Sequence, residues 1–200
     1  ATHKKNIYFV SLSSGCIFDG AGEGGEGFSH DAIPNPGCYY GWTKAWSDWM
    51  LFPFLGEHNI MILRLRMPLS KYSNPRNLLN KLRDYHRIID DQNSITVVED
   101  FLPVMEQLMN KRSSGIFHVT NPGTMSPYEI AQMMQQHGLI PAERKIEKIT
   151  KQTLDTDLTK DNRARRVNTV LNTDVLKERG IAMRPLRVAV EDCIKNFVTV

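Results

Sequence analysis

Three short apolar runs along the chain have the pattern of buried β-strands. They are 6–13 (NIYFVSLS), 59–66 (NIMILRLR) and 115–120 (GIFHVT). Near-continuous runs of β-branched, aliphatic and aromatic residues are typical of parallel strands that are covered on both faces. Helical periodicity fills the segments between them, so the order of elements predicts an α/β fold with a parallel sheet.

Amphipathic segments predict the helices. Their expected bounds are about 38–51, 76–85, 98–111, 126–137, 171–178 and 186–197. Ser126, Pro127 and Glu129 have the spacing of a capped helix start, and Gly180 suits a helix stop. Residues 95–98 are predicted to be a short extended piece, whereas 146–160 is too polar for an assignment.

Three parallel strands are few for such a sheet. No strand with a glycine-rich, pyrophosphate-binding turn precedes the first strand. We therefore expect residues 1–70 to be the C-terminal half of a Rossmann-like NAD(P)-binding domain, a doubly wound parallel sheet whose N-terminal half is absent. Residues 71–200 are expected to form a small, mixed substrate-binding subdomain, with 95–121 returning to the sheet.

The glycine-rich segment 20–25 fits G-x-G-x-x-G by letter but not by context. It does not directly follow a strand, no helix begins after it, and its glutamate would repel a pyrophosphate. We predict a flexible loop here.

Bulk composition narrows the class of protein. The net charge is +3, with charges of both signs mixed along the chain, which does not indicate a nucleic-acid-binding surface. No run of about 18 apolar residues predicts a membrane span, and the first residues do not resemble a signal peptide. Three scattered cysteines indicate no disulfide framework, and six dispersed histidines indicate no metal site. We expect a cytoplasmic, reduced protein.

Tyr40 and Lys44 stand four residues apart on the first predicted helix. Positions i and i+4 share a helix face, so the phenol and the ammonium would project side by side. A cation beside a phenol favours the phenolate, and such a tyrosine can exchange a proton with a carbonyl or hydroxyl oxygen. A solvated lysine beside a packed aromatic ring explains the same spacing.

Trp42, Trp46 and Trp49 follow an i, i+4, i+7 spacing on this helix. Such a stripe is first interpreted as core packing. The alternative is a subunit interface, that is, a homodimer joined through the 38–51 helix.

Over almost its whole length the chain resembles the extended short-chain dehydrogenase/reductases that act on nucleotide sugars. The matching features are Ser14 four residues before Phe18, Tyr40-x-x-x-Lys44, Arg64 to Pro68, Gly115 to Gly123, and Arg163-x-x-Arg166-x-Asn168. Two subgroups are most similar, the dTDP-4-dehydrorhamnose reductases and the nucleotide-rhamnose synthase epimerase-reductases. The second group shares Gly15 to Phe18 and the stretch from Arg66 to Lys81, while GDP-fucose synthase is a more distant relative.

The resemblance implies catalytic roles for five residues. Tyr40 would donate a proton to the sugar C4 oxygen as hydride arrives from NADPH or NADH. Lys44 would favour the phenolate and bond the nicotinamide ribose, and Ser14 would hold the carbonyl oxygen. In the epimerase-reductases a cysteine and a lysine invert C3 and C5, which carries over to Cys16 and Lys81. A small buried hydrophobe and a solvated helix lysine are the alternatives for these two.

The resemblance also implies binding residues. Met67 and Pro68 would contact the cofactor together with Tyr40 and Lys44. Guanidinium groups suit a bidentate grip on phosphate. The expected contacts to the nucleotide-sugar substrate are Arg76, Asn77, Arg163, Arg166 and Asn168. A solvated basic turn is the alternative for each of the three arginines.

The expected function is NAD(P)H-dependent reduction, with 3,5-epimerisation, of a nucleoside-diphosphate 4-keto-6-deoxyhexose to a rhamnose-type sugar nucleotide. Another epimerase or dehydratase of the same superfamily, and a non-catalytic reductase-like regulatory subunit, remain open. Dehydratases generally place an Asp-Glu pair where Gly15 and Cys16 stand, and a non-catalytic subunit would not need Ser14, Tyr40 and Lys44 together.

Overall fold

Parallel strands alternate with helices in the computed structural model, which describes residues 7–55, 59–160 and 166–199. The strands are β1 (Phe9–Ser14), β2 (Ile60–Leu65), β3 (Arg87–Ile89), β4 (Gly115–His118) and β5 (Glu147–Ile149). The helices are α1 (Tyr39–Leu51), α2 (Leu78–Asp84), α3 (Val98–Asn110), α4 (Pro127–Gln136), α5 (Lys151–Lys160), α6 (Asp174–Glu178) and α7 (Leu186–Lys195).

The main sheet has the order β1-β2-β4, and both of its strand pairs are parallel. Ser14 is paired with Leu65, and Arg64 is paired with both Ser13 and His118. The carboxyl ends of the three strands therefore lie side by side, at the edge where open α/β sheets bind their ligands. The predicted Rossmann-like α/β class is confirmed.

A second, two-stranded parallel sheet joins β3 to β5, and the sequence pattern did not predict it. Each strand has three residues, and only Ile88 and Ile149 among them are buried. Strands this short and this polar lack the periodicity on which the predictions depend. The division of the chain near residue 70 stays a prediction.

The predicted helices form, each shortened by up to three residues at an end. Helix α4 begins with the expected capping box, because Ser126 and Glu129 each bind the other's backbone N–H. Within the predicted extended piece 95–98, Val97 has an extended backbone and makes an isolated bridge to Leu69. Residues 146–160, whose polar sequence predicts no element, contain β5 and α5.

Three apolar clusters form the core. One joins α2, α4 and α7, and a second lies between the main sheet and helices α3 and α6. The third is small and lies beneath the turn after β1: Ile17, Phe18, Ala45 and Leu171. This third cluster seats helix α1 on the end of the sheet.

The tryptophan stripe of α1 does not enter the core. Trp42 is 46% exposed and Trp46 is 60% exposed, while Trp49 is half-buried and meets both rings edge-on. The core-packing interpretation is therefore wrong for Trp42 and Trp46. Helical spacing identifies a common face but does not say what lies against it.

The glycine-rich segment is held in place rather than loose. Gly20 and Phe28 each exchange two backbone hydrogen bonds with the segment 168–172, at 2.7 to 3.1 Å. A Cβ on Gly27 would lie 2.8 Å from the Asn172 nitrogen, so this close approach needs glycine. The prediction of a flexible loop missed this pairing because its partner is about 150 residues away in the sequence.

Candidate active site at the carboxyl end of the main sheet

Ser14 is the last residue of β1 and caps the short turn Gly15–Ile17. Its Oγ accepts a hydrogen bond from the Cys16 N–H at 3.1 Å, and the residue is only 8% exposed. Among the described residues no group accepts the Ser14 hydroxyl proton. A buried hydroxyl with one free donor suits a carbonyl oxygen of a ligand.

The first turn of α1 packs directly against the turn after β1. Cys38 caps the helix, with its Sγ accepting from the Gly41 N–H at 3.4 Å. A Cβ built on Gly41 would lie 2.3 Å from the Cys16 carbonyl oxygen. The backbone of this helix turn therefore comes as close to the Cys16 backbone as glycine allows.

Tyr40 and Lys44 share one face of α1, as the spacing predicted. The Lys44 Nζ lies 5.9 Å from the centre of the Tyr40 ring. Tyr40 is 52% exposed, and its hydroxyl has no hydrogen bond to the described residues. An open phenol and a neighbouring ammonium, next to a strand-end serine, fit the reactive end of a nicotinamide cofactor and a carbonyl substrate.

A buried ion pair fixes the rotation of α1 on the sheet. Asp48, one turn after Lys44, accepts from the Arg64 Nε of β2 at 2.9 Å, and both side chains are fully buried. Arg64 also donates to the His30 carbonyl at 2.9 Å and lies 3.1 Å from His118 Nε2. Helix, sheet and the loop before α1 therefore meet at one guanidinium.

His118 is held neutral in this network. Its Nδ1 lies 3.0 Å from the Asn172 carbonyl, which only a protonated Nδ1 can satisfy, so Nε2 accepts from Arg64. Burial and the charge of Arg64 lower the pKa of His118 to about 3.

Cys16 contacts a second buried arginine. Arg66 follows β2, is 6% exposed, and its Nη1 donates to the Cys16 Sγ at 2.9 Å. The other terminal nitrogen donates to Asn93 Oδ1 at 2.7 Å and to the Val167 carbonyl. No site role was predicted for Arg66. The sequence did carry a signal for one, because two arginines at the end of an otherwise apolar strand are unusual.

Asn168, one of the predicted substrate contacts, joins the polar groups around Arg66. Its Oδ1 is 3.3 Å from Asn93 Nδ2, and its backbone N–H donates to Asp19 at 3.1 Å. Arg166 is exposed and makes a backbone contact to Asp155. Arg163 lies outside the described residues, and a substrate contact for any of these three stays a prediction.

Arg76 and Asn77 precede α2, in a loop of their own. Arg76 is exposed, whereas Asn77 is 6% exposed. The Asn77 amide donates to the carbonyls of Ser70 and Tyr72 at 2.6 and 2.9 Å and accepts from the Leu79 N–H at 3.2 Å. These bonds use both of its donors, which favours a structural role over the predicted substrate contact.

Lys81 lies on α2, and its side chain is exposed. Its ammonium makes no hydrogen bond or ion pair with the described residues. The structure therefore shows no contact between Lys81 and Cys16, and their predicted pairing stays a prediction.

Met67 and Pro68 follow Arg66 at the end of β2. Met67 has a φ of 41°, a left-handed conformation that is rare for residues other than glycine. Such a conformation costs on the order of 1–3 kcal/mol and is concentrated at functional sites. Pro68 is exposed and Met67 is half-buried, and a cofactor contact for either residue stays a prediction.

The RmlD substrate binding domain family matches residues 1–199. The chain belongs to this family.

Relatives of this RmlD-type chain include plant enzymes of rhamnose synthesis. A bifunctional dTDP-4-dehydrorhamnose 3,5-epimerase/dTDP-4-dehydrorhamnose reductase of Arabidopsis thaliana is 33% identical over 140 residues, covering 67% of this chain and 46% of that protein. A trifunctional UDP-glucose 4,6-dehydratase/UDP-4-keto-6-deoxy-D-glucose 3,5-epimerase/UDP-4-keto-L-rhamnose-reductase of the same plant is 36% identical over 138 residues, covering 66% of this chain and 20% of that protein. The chain thus spans less than half the length of these relatives.

Solved structures agree with the RmlD-type fold. The L780 UDP-rhamnose synthase of Acanthamoeba polyphaga mimivirus superposes with a TM-score of 0.86 at 27% identity, over 98% of this chain and 67% of that one. A Bacillus anthracis dTDP-4-dehydrorhamnose reductase in complex with NADP gives 0.74 at 19% identity, over 98% of this chain and 65% of that one. The predicted resemblance to the sugar-nucleotide reductases and epimerase-reductases is confirmed.

The RmlD-type chain holds one further polar cluster that the sequence analysis missed. Lys151 Nζ lies 3.3 Å from Asp19 and 3.0 Å from Asp155. The backbone N–H of Lys151 donates to the Asp91 carboxylate at 2.6 Å. Burial lowers the pKa of Lys151, but these carboxylates outweigh it and the pKa is raised overall. The cluster ties α5 to the loop after Phe18.

Neither a metal-binding cluster nor a membrane-spanning helix is found among the residues that the structure describes. Within 7–55, 59–160 and 166–199, no group of three or more His, Cys, Asp or Glu side chains is placed to hold a metal ion. In the same ranges no helix has the length and apolar character needed to cross a membrane.

Proposed function

We propose that this chain forms part of an NAD(P)H-dependent enzyme that reduces a nucleoside-diphosphate 4-keto-6-deoxyhexose to a rhamnose-type sugar nucleotide, with 3,5-epimerisation. One observation carries the proposal. Ser14, a buried serine whose hydroxyl proton has no acceptor among the described residues, ends the first strand two residues before Cys16, and the Cys16 backbone packs against the helix that carries Tyr40 and Lys44.

The reduction needs a proton at the sugar C4 oxygen. A nicotinamide cofactor held at this site would supply the hydride to C4. Ser14 donates its free hydroxyl proton as a hydrogen bond to the C4 oxygen and so orients the carbonyl. The Tyr40 phenol gives its proton to that oxygen, and the Lys44 ammonium stabilises the phenolate that remains.

We propose that Lys44, Met67 and Pro68 contact the cofactor. Lys44 is half-buried beside the Tyr40 ring and can also hydrogen-bond a ribose hydroxyl. Met67 and Pro68, at the end of β2, are proposed to contact the nicotinamide. The complexes of related reductases with NADP support a cofactor of this type.

Epimerisation needs a base at the carbons next to the C4 carbonyl, where protons are acidic because the resulting anion is an enolate. Cys16 follows Ser14 by two residues and is half-buried, and its thiol is the proposed base. Lys81, which is exposed and has no partner among the described residues, is the proposed second acid or base. Relatives named for both epimerase and reductase activity support the epimerisation, and the choice of Cys16 and Lys81 rests on the family resemblance.

The test uses the protein that carries this chain, NADPH or NADH, and UDP- or dTDP-4-keto-6-deoxyglucose. We expect a fall in absorbance at 340 nm with at least one sugar nucleotide. No oxidation above the blank with either sugar and either cofactor would overturn the reductase. In D₂O we expect deuterium at C3 and C5, lost in Cys16→Ala and kept in Tyr40→Phe; deuterium uptake unaffected by Cys16→Ala would overturn the role of the thiol.

We also propose that the exposed aromatic face of α1 (Tyr39, Trp42, Trp46 and Met50) joins two copies of the protein. Tyr39 and Met50 are 82% and 72% exposed, and large aromatic groups at such spacing are typical of interfaces. The test compares the sedimentation of the Trp46→Glu protein with that of Ser47→Glu, a substitution at the next residue of the helix. Only Trp46→Glu should give monomers; a monomeric parent protein would refute the interface.

A further inference from the structure

The backbone of Asn168 is tied to the loop that follows Phe18. Its N–H donates to the Asp19 carboxylate at 3.1 Å, and its carbonyl accepts from the Gly20 N–H at 2.7 Å. The side chain of Asn168 is half-buried. With the backbone fixed, the direction in which the side-chain amide presents its N–H groups depends on the partner of that amide, Asn93.

The partners of Asn93 fix the orientation of its own amide. Asn93 is 2% exposed, and one atom of its amide lies 2.7 Å from Arg66 Nη2 and 3.0 Å from the Thr169 backbone nitrogen. A guanidinium and a backbone N–H can only donate hydrogen bonds. The atom between them is therefore the carbonyl oxygen Oδ1, since an NH₂ group there would face two donors.

The other end of the Asn93 amide is the NH₂ group. It donates to the Asp91 carbonyl at 3.1 Å and to the Asn168 side chain at 3.3 Å. Asn93 thus uses both donors and both lone pairs of its amide, and turning the amide over would break all four bonds. The same rule then fixes Asn168, because the atom that faces an NH₂ group has to be its oxygen, Oδ1.

Asn168 is left with its own NH₂ group, for which the described residues supply no acceptor. Arg66, Asn93 and Asn168 form a one-way series, in which each side chain donates to the next. Hydrogen bonds in series polarise one another, so the charge of Arg66 strengthens the last donor. Arg66 Nη1 also contacts the Cys16 Sγ at 2.9 Å, which places the start of the series beside the turn that follows Ser14.

We infer that Arg66 and Asn93 orient the Asn168 amide so that its N–H groups bind an acceptor oxygen of the nucleotide-sugar ligand. Asn168 is then a specificity-determining donor, and Asn93 is a positioning residue that acts through it. The class of ligand rests on the proposed function. The acceptor is an oxygen of the nucleoside diphosphate or a hydroxyl oxygen of the sugar, since both offer lone pairs to an N–H donor.

The orientation of the amide is tested without a ligand. In ¹⁵N-labelled protein, the side-chain NH₂ signals of Asn93 and Asn168 are assigned by triple-resonance NMR, and their proton exchange with water is measured. We expect the Asn168 protons to exchange at least about tenfold faster than those of Asn93, which are buried and bonded. Equal rates in the unmodified protein would overturn the inference, and this result depends on no variant folding.

Asn93→Asp reverses the series at its second member. The carboxylate still accepts from Arg66 and from the Thr169 N–H, but it has no N–H to donate, so the Asn168 amide turns over and donates to it. The exchange of the Asn168 NH₂ protons should then slow by at least about tenfold. Unchanged exchange in a folded Asn93→Asp protein would overturn the positioning role.

Calorimetry with UDP, dTDP, UDP-glucose and dTDP-glucose tests the ligand contact. Asn168→Ala should weaken binding about two- to tenfold for a sugar hydroxyl and more than about tenfold for a charged phosphate oxygen. An equal loss with UDP and UDP-glucose places the acceptor on the nucleotide, and a loss with UDP-glucose alone places it on the sugar. Asn172→Ala is the matched control and should bind normally, because the Asn172 amide already donates to Asp174 at 2.8 Å.

A double variant separates the turned amide from the added charge. Asn93→Asp should weaken binding at least as much as Asn168→Ala, but adding it to Asn168→Ala should cost less than about twofold more. A full further loss would show direct repulsion of the ligand and overturn the positioning role, and unchanged affinity in Asn168→Ala would overturn the donor role. An unmodified protein that binds none of these nucleotides would refute the ligand class and the proposed function, whereas the exchange rates decide the orientation by themselves.

Discussion

Gly41 and Cys16 touch through their backbones: a methyl group on Gly41 would lie 2.3 Å from the Cys16 carbonyl oxygen. The same hypothetical methyl would lie 3.0 Å from Pro36. The first turn of α1 therefore reaches the Cys16 backbone only because residue 41 has no side chain. Tyr40 is the next residue toward the start of this turn.

Gly41→Ala is expected to destabilise the protein. Inside a helix this change normally stabilises by roughly 0.5–1 kcal/mol. Here the added methyl meets a backbone oxygen that cannot rotate away, and we expect a loss of about 1–3 kcal/mol. Urea unfolding measures it, with Ser47→Ala on the exposed side of α1 as the control. A more stable Gly41→Ala protein would contradict the contact.

Tyr40→Phe is expected to abolish reduction without harming the fold. Loss of a positioned proton donor costs about 10²–10⁴-fold in rate. The Tyr40 hydroxyl has no hydrogen bond to the described residues and is open to solvent, so the free energy of unfolding should change by less than about 0.5 kcal/mol. Tyr39→Phe, at the adjacent and more exposed tyrosine, is the matched control and should keep full activity.

Asp48→Asn is expected to be the most destabilising of these changes. It removes the anion from a fully buried pair and leaves the Arg64 charge uncompensated, at a cost of about 3–5 kcal/mol. The exposed pair Lys195–Glu191, at 2.8 Å, is the comparison. Lys195→Met should change stability by less than about 0.5 kcal/mol in the same denaturant titration. Equal effects would show that burial of the first pair matters little.

Stability is expected to fall as the pH drops below 6.5, in part because of His118. Its pKa is about 3 in the folded protein and near 6.5 when unfolded, so between these values only the unfolded chain binds the proton. Stability from this group is complete above pH 6.5 and decreases toward pH 3. From pH 7.5 to 5.0 the decrease should be about 2 kcal/mol.

The variant His118→Asn isolates that contribution. Its side-chain amide can still donate to the Asn172 carbonyl, and it does not titrate. We expect a protein that is less stable at pH 7.5 but loses less stability on going to pH 5.0, as measured by urea unfolding at both values. The same slope in both proteins would show that His118 is protonated in the folded state.

The local pattern of the chain was enough for most of the elements. Apolar runs located β1, β2 and β4, and the four-residue spacing of Tyr40 and Lys44 placed both on one face of α1, because strands and helices repeat with fixed periods. The local pattern did not reveal β3 and β5, because each has only three residues, too few to show a period. Family resemblance supplied the catalytic roles of Ser14, Cys16 and Lys81.

What the sequence by itself determined was the α/β class, the main strands and helices, and the Tyr40–Lys44 face. Only the tertiary structure decided that Trp46 faces outward, that Gly41 brings α1 onto Cys16, and that Arg66 meets a sulfur 50 residues away. The reason is physical. A repeating pattern says which side of an element is apolar, but the partner of a buried charge is chosen by whichever distant group the fold brings within hydrogen-bond distance.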